Sequence, residues 1–516
     1  MRLHQIKALC ILTFVASFTA LLFSNSAIVE TITQQEANRT LDNSRGSAEK
    51  REGQKTTGVL NPIEFDSTKP KLDIAGEGFC VTPVYPNSVE DLYRFPQEIE
   101  VYTKKSALTH KRLYEAQKRF DENYFSVWSY KRPPESSFTA RWPFRVYSQG
   151  YSYGENLQLL EPAWFDEMLE KANFRSFGKV SGYGLTLHFS SLRNFPTQKP
   201  LFRDPNRAGE GFPFDYLQNS AIHANEPIYI SHYSTDKAWV YVYTSYASGW
   251  LPSHSIVFMN KKERKKWQRN KPVYLLKEKV ALTDTEGHFL FYSRIGMRLS
   301  LIKKRGLYTY VRAVAPGAFN RPTFVTVRLK NSDVTTTPLL IDQENLTRIT
   351  AGVMQSNYGW GGLYEERDCS STLRDIFAPF GIWMPRNSRQ QSQIGKQIPL
   401  DDLNATAKEA LIKEKAVPFE TFLHRKGHIM LYLGTYDDNI MILHNMWGIK
   451  TVDDNEEEGR VIVGKVVIST LEIGSEQNGY DYNSSLLPSL DSMNIFTYKS
   501  EDKKKKHKSH QKKANG

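Results

Sequence analysis

The apolar spacing along this chain changes period near residue 185 and again near residue 341, which limits its architecture more than any single residue does. Before the first change the period is helical. Leu108, Leu113, Ala116, Phe120, Tyr124 and Val127 recur at about one turn, and Pro133-Pro134 closes the run. Pro162, favoured at a first helical position, opens a second helix through Trp164, Phe165, Met168 and Leu169. From Leu185 the pattern alternates. Ala238 to Tyr243 reads as a strand, and Gly249-Trp250-Leu251-Pro252 follows a short turn before Ile256 and Val257. Val273 to Leu276, Ile295 to Leu299 and Tyr308 to Val311 form a second such set. Beyond 341 helical and strand signals mix. The expected fold is therefore a multidomain α+β chain: a helical N-terminal unit over 62–180, two small β-barrels over 181–262 and 263–340, and a mixed α+β domain over 341–478. With 516 residues, 40% of them hydrophobic, the chain can fill several cores, and disorder throughout is excluded.

The two ends carry most of the unusual composition. Arg2, His4 and Lys7 precede the apolar run Ala8 to Phe23, and small residues follow to Ala27. This pattern predicts an export signal over 1–27, cleaved near Ala27 or kept as a single membrane anchor, and a polar disordered spacer over 28–61. The protein is thus expected outside the cytoplasm, in a periplasm or cell envelope. The formal net charge is +12. Seven lysines against one Asp and one Glu in Glu501 to Gly516 account for much of it, and Arg2 and Lys7 for more. A nucleic-acid partner is not implied, because no basic face with interleaved aromatics remains. Residues 479–516 are expected to form a basic, mobile tail.

Cys10, Cys80 and Cys369 are the three cysteines, too few for a disulfide framework or a multi-Cys zinc module. After loss of the signal, Cys80 and Cys369 either pair or leave a working thiol. Cys369 follows the glycine-rich stretch Tyr358-Gly-Trp-Gly-Gly and precedes Leu373, Ile376 and Phe377 at helical spacing. A helix start favours the thiolate that a nucleophile needs; packing as a small buried hydrophobe is the plainer role for a lone Cys. Further on, His428 opens the apolar run Ile429 to Leu433, a turn occupies Tyr436 to Asn439, and Met441 to His444 returns. An antiparallel hairpin sets His428 and His444 near one end of a sheet, so that one imidazole can serve as base and the other orient it. His424 and His428 have the spacing of helical metal ligands, but the run after His428 favours a strand and no paired carboxylates lie nearby. Neither a metal nor a cofactor is expected.

Taken together, Tyr358-Gly-Trp-Gly-Gly, Asp368-Cys369-Ser370, Pro385-Arg386-Asn387-Ser388 with Gln391, His428 to Gly434 and Ile442-Leu443-His444 resemble the NlpC-type family of bacterial murein endopeptidases. These are papain-like cysteine peptidases. The two alternating regions resemble bacterial SH3-like barrels, and the block order resembles the exported multidomain branch of that family, which begins with a stabilising unit. The resemblance implies hydrolysis of the γ-D-glutamyl to diamino acid bond of peptidoglycan stem peptides. It also implies a triad of Cys369, His428 and His444, an oxyanion role for Tyr358, and contacts of Asp368 and Ser370 with the free amine and D-Glu region of the stem peptide. Packing for Tyr358 and helix capping for Asp368 and Ser370 are the plainer readings. Ser371 departs from the family's usual Gly. Ser388 is expected to cap a short helix containing Gln391, with Arg386 just before it, and Trp239 and Trp250 to serve as barrel core. In this family the first barrel often narrows the cleft. The expected partner is peptidoglycan, with membrane contact only through an N-terminal anchor and a monomeric state. The alternative is a non-catalytic peptidoglycan-binding or scaffold protein, against which the intact Cys, His and His speak.

Overall fold

The computed structural model describes residues 89–106, 114–148 and 150–497. The export segment, the spacer, Cys10, Cys80 and the Lys-rich run from Glu501 lie outside the described residues. Among those described, no helix is long and apolar enough to cross a membrane.

The N-terminal helices face two ways. Ile99–Lys105 buries Ile99 and Tyr102 with Phe377 and Leu433 of the C-terminal core, whereas Pro162–Lys171, opened by Pro162 at its first turn, buries Phe165 and Met168 with Phe195, Tyr229 and Trp250 of the first barrel. Burying rings of this size stabilises by about 1.5–3 kcal/mol each. Polar contacts continue the attachment. Gln97 accepts from Ile468 N at 3.0 Å and donates to Ile468 O at 2.8 Å, satisfying the outward groups of the edge strand Glu458–Ser469. Asp91 accepts the Thr470 N–H at 2.6 Å.

Two β units follow. The first is a seven-stranded antiparallel sheet whose strands include Gly182–Thr186, Gln218–Ile222, Trp239–Tyr243 and Ser248–Pro252. Trp239 and Trp250 are both buried in its core. The second has a five-stranded sheet, Pro272–Leu275 to Val334–Thr335, filled by Val273, Leu275, Leu299, Val311 and Val327. The helix Lys261–Arg269 between them starts with a reciprocal Asn260–Glu263 cap.

The C-terminal domain is a six-stranded antiparallel sheet in the order Lys396–Pro399, Leu490–Ile495, Thr421–Arg425, His428–Tyr436, Asn439–Val452, Glu458–Ser469. The helix Cys369–Phe377 packs Leu373, Ile376 and Phe377 against Phe422, Ile429 and Leu431. The mobile tail expected from residue 479 is corrected here. Leu490–Ile495 is an interior strand, paired on both sides, with Leu490 and Met493 buried. Its Ser, Asp and Asn residues look like a linker in composition, yet Asn494 is buried and donates to Gln391 O and Ile394 O at 3.0 and 2.8 Å.

Candidate active site

Cys369 is the first residue of its helix, and Asp368 is the N-cap: Asp368 Oδ1 accepts the Ser371 N–H at 2.9 Å, and the Asp368 N–H donates to Ser371 Oγ at 3.0 Å. The unusual Ser371 thus completes a reciprocal cap. Far down the same helix, Asp375 anchors it to both barrels. Its carboxylate accepts from Arg367 at 2.7 Å and lies 3.2 Å from His223 of the first barrel, while Arg367 also reaches Glu278 of the second at 2.7 Å. The glycine-rich loop before Cys369 lies against the first barrel as well. Gly361 and Gly362 have φ of 58° and 90°, and a Cβ on Gly362 would sit 2.3 Å from Ala221 Cβ. Only glycine allows both that backbone and that approach.

Asp368 is buried, which opposes its ionisation, but Arg386 and the hydrogen bonds from Arg386 and Ser371 hold its carboxyl below the usual range. Arg386 grips it with Nη2 at 2.6 Å and Nη1 at 3.1 Å, gives Nη1 to Ser370 Oγ at 2.9 Å and Nε to Ser220 Oγ of the first barrel at 2.7 Å. Ser370 also offers its carbonyl to Gln391 at 2.8 Å. Ser388 is not the cap expected of it: Asn387 accepts the Gln390 N–H, because its amide oxygen stands one residue ahead of the first helical turn.

Cys369 is 9% exposed. Burial, with Asp368 adjoining, pushes its thiol up to about 12, while a hydrogen bond from the Ile429 backbone and the nearby Arg386 pull the other way. The thiolate expected from the helix start is therefore not the resting form; desolvation and the neighbouring carboxylate outweigh the helix field. Ile429 directly follows His428, so the sulfur lies against the strand that begins with the imidazole.

His428 and His444 occupy diagonal positions on one face of the hairpin, since Leu431 pairs with Leu443 and the side chains alternate. His428 Nε2 lies 2.9 Å from His444 Nδ1, and His444 Nε2 lies 3.0 Å from Ser469 Oγ. Ser469 Oγ donates to Thr470 O at 2.8 Å. With that proton committed, Ser469 accepts from His444 Nε2–H; His444 Nδ1 is then the acceptor for His428 Nε2–H, and His428 Nδ1 carries the free lone pair. Burial pushes His444 down to about 3, and burial together with His444, Arg425 and His424 holds His428 well below its usual range. Both rings rest neutral, as the tautomer chain requires. His424 is on the neighbouring strand Thr421–Arg425, opposite Ile429, so its ring faces away from His428 and pairs with Asp491 at 2.7 Å. The sequence did not mark Ser469, which ends an apolar strand without any local motif.

Tyr358, Cys369 and His428 share one cavity of about 420 Å³ with Trp360 and Trp447. Burial, with Cys369 and Asp368 next, keeps the Tyr358 hydroxyl protonated and able to donate. Ala208, Gly209 and Phe214 bring the first barrel into the same wall. One cavity thus gathers a buried thiol, a neutral imidazole with an oriented lone pair and a phenol able to donate, the groups that thiol chemistry draws on.

Family models match four segments in order: an "NLPC_P60 stabilising domain, N term" over 73–177, an "SH3 domain (SH3b1 type)" over 200–252, an "SH3 domain of SH3b2 type" over 260–305, and the "NlpC/P60 family" over 355–461. Curated proteins yield no significant match. Among solved structures, an NlpC/P60 endopeptidase from Photobacterium damselae subsp. piscicida is 25% identical, with a TM-score of 0.69 over 78% of this chain and 98% of that one. An NlpC/P60 family protein from Bacillus cereus is 14% identical, with a TM-score of 0.41 over 61% of this chain and 99% of that one. By domain order, by its C-terminal domain and by its likeness to that endopeptidase, the chain belongs to the NlpC/P60 family of peptidases, with a stabilising domain and two SH3 domains ahead of the peptidase domain.

Proposed function

We propose that the protein is a cell-wall cysteine endopeptidase that hydrolyses the γ-D-glutamyl to diamino acid bond of peptidoglycan stem peptides. The observation that carries this reading is the chain from Ser469 through His444 to His428, which leaves one imidazole lone pair free in a residue that lines the same cavity as the thiol of Cys369. As Sγ attacks the scissile carbonyl, its proton passes to His428 Nδ1, so the high thiol pKa is overcome only when substrate is in place. The Cys369 backbone amide and the Tyr358 hydroxyl stabilise the oxyanion. The tetrahedral adduct collapses to a thioester while His428 gives its proton to the leaving amine. Water, deprotonated by His428, then attacks the thioester, releasing the γ-carboxylate and restoring the thiol. No cofactor takes part in these steps. Asp368 and Ser370, which adjoin Cys369 in the chain and are buried with Arg386, are assigned to the free amine and D-Glu region of the acyl half, a contact that requires them to turn from Arg386 toward the substrate. The same reading assigns its action to the cell envelope, as a monomer on peptidoglycan.

The test is the release of new amino termini from purified murein by wild type and by Cys369→Ala, with murein pull-down run in parallel. The variant is expected to bind and not to cleave. Undiminished cleavage by Cys369→Ala overturns the reading.

A further inference from the structure

The catalytic cavity is electrically lopsided. Its lining includes the cations Arg425, Lys426, Lys450 and Arg460 against one carboxylate, Asp481. Lys450 is spoken for, since it pairs with Glu458 at 2.8 Å and lies 3.6 Å from Asp481. The other three make hydrogen bonds, where they make any, to neutral groups, and Arg425 feels the Asp491 carboxylate only at longer range. Arg425 donates to Ser484 O at 2.7 Å, and Arg460 to Arg207 O and Glu210 O at 2.7 and 3.2 Å. Lys426 is exposed at the turn between two strands. Among the described residues, none of these three has a carboxylate within ion-pair distance. Partial burial of a guanidinium against carbonyls alone leaves an ion pair half made, and an anion completes it at the lowest cost.

The chemistry tells which half of a substrate meets these cations. His428 must reach the leaving nitrogen in order to protonate it. The leaving half therefore lies along the elements that flank His428. Arg425 and Lys426 immediately precede His428, and Lys450 lies on the strand that carries His444. The acyl half then lies on the other side of the scissile carbonyl, away from these cations.

We propose that the His428 end of the cleft is a subsite for a carboxylate on the leaving half of the substrate, bound by Lys426, Arg425 and Arg460. The protein then selects stem peptides whose diamino acid retains a free carboxylate over those in which that group is amidated. This rests on the peptidase reading above and adds the substrate class to it.

Two synthetic peptides test it, each L-Ala-γ-D-Glu joined to a 2,6-diamino dicarboxylic acid, one with the second carboxyl free and one with it amidated. Wild type is expected to favour the free acid by about tenfold in kcat/KM, carried by KM, which is the scale of one charge-assisted hydrogen bond. Lys426→Glu, at an exposed position, is expected to raise KM for the free acid and shrink that ratio. Equal kcat/KM for the two peptides in wild type overturns the subsite and leaves the peptidase reading standing. If neither peptide is cleaved, the peptidase reading falls, and calorimetry decides the subsite. Tighter binding of the free-acid leaving fragment than of its amide supports the subsite; equal binding overturns it.

Discussion

Replacing Arg386 with Met tests the link between the first barrel and the start of the helix Cys369–Phe377. Arg386 and Asp368 are 7% and 9% exposed, and two of their hydrogen bonds, at 2.6 and 3.1 Å, form a bidentate pair. Methionine keeps much of the volume and removes every donor. Asp368 then remains buried with only the Ser371 amide and two serine hydroxyls to support its charge. Removing one partner of a buried pair costs about 3–5 kcal/mol, whereas the hydrogen bonds that Arg386 gives to Ser220 and Ser370 are worth only about 0.5–1.5 kcal/mol each. The sign with pH follows from the direction of the shift. In wild type the Asp368 carboxyl is held below its unfolded value of about 3.9, so its stabilisation is present above that pH and is lost as pH falls through the folded value. In Arg386→Met burial is opposed only by the serine hydrogen bonds and outweighs them, the shift reverses, and protonation relieves the variant. The gap between wild type and variant is therefore expected to narrow from pH 7 to about pH 4.5. Urea unfolding followed by tryptophan fluorescence at both pH values measures it, and Asp368→Asn combined with Arg386→Met is expected to be less damaged than Arg386→Met alone. A loss under about 1 kcal/mol at pH 7, the range of an exposed pair, or a gap that does not change with pH, refutes the reasoning.

Ser469→Ala removes the acceptor for His444 Nε2–H and frees the tautomer chain; kcat is expected to drop about tenfold or more with KM little changed, and Ser469→Thr to recover most of it. A drop in stability with unaltered kcat and pH profile would show Ser469 to be packing alone. His444, held at about 3 when folded, binds a proton more readily once unfolded, where its pKa is about 6.5, so thermal stability is expected to decline as pH falls through that interval. His444→Asn should lose less on acidification, and calorimetric scans at pH 7 and pH 4.5 compare the two. Gly362→Ala pushes a Cβ to 2.3 Å from Ala221 Cβ at a φ of 90°, a strain of about 1–3 kcal/mol before any steric shift. Activity is expected to fall with it because the loop carries the approach to Cys369; an unaltered melting temperature would contradict this.

Much of the local structure was legible from residue order. Pro162 opens its helix, Trp239–Tyr243 and Ser248–Pro252 are strands, Cys369 begins a helix, and His428 and His444 share a hairpin face. Each depends on periodicity or on a terminus signal spanning a few neighbours, which is the range over which sequence alone constrains the backbone. The strand Leu490–Ile495 was not legible, because its pairing partners lie about 70 and 95 residues away and its side chains mimic a linker. Ser469 was invisible for the same reason: its hydroxyl matters only because strand pairing carries it to His444, 25 residues away in the chain. The thiol shows the limit most clearly. A helix start alone argues for thiolate, but ionisation is set by everything within a few ångströms, and only the folded chain brings Asp368, the Ile429 backbone and a dry wall around the sulfur. Residue identity and spacing named the candidate reacting groups, and long-range packing decided their protonation, their orientation and the charge of the cleft they open on.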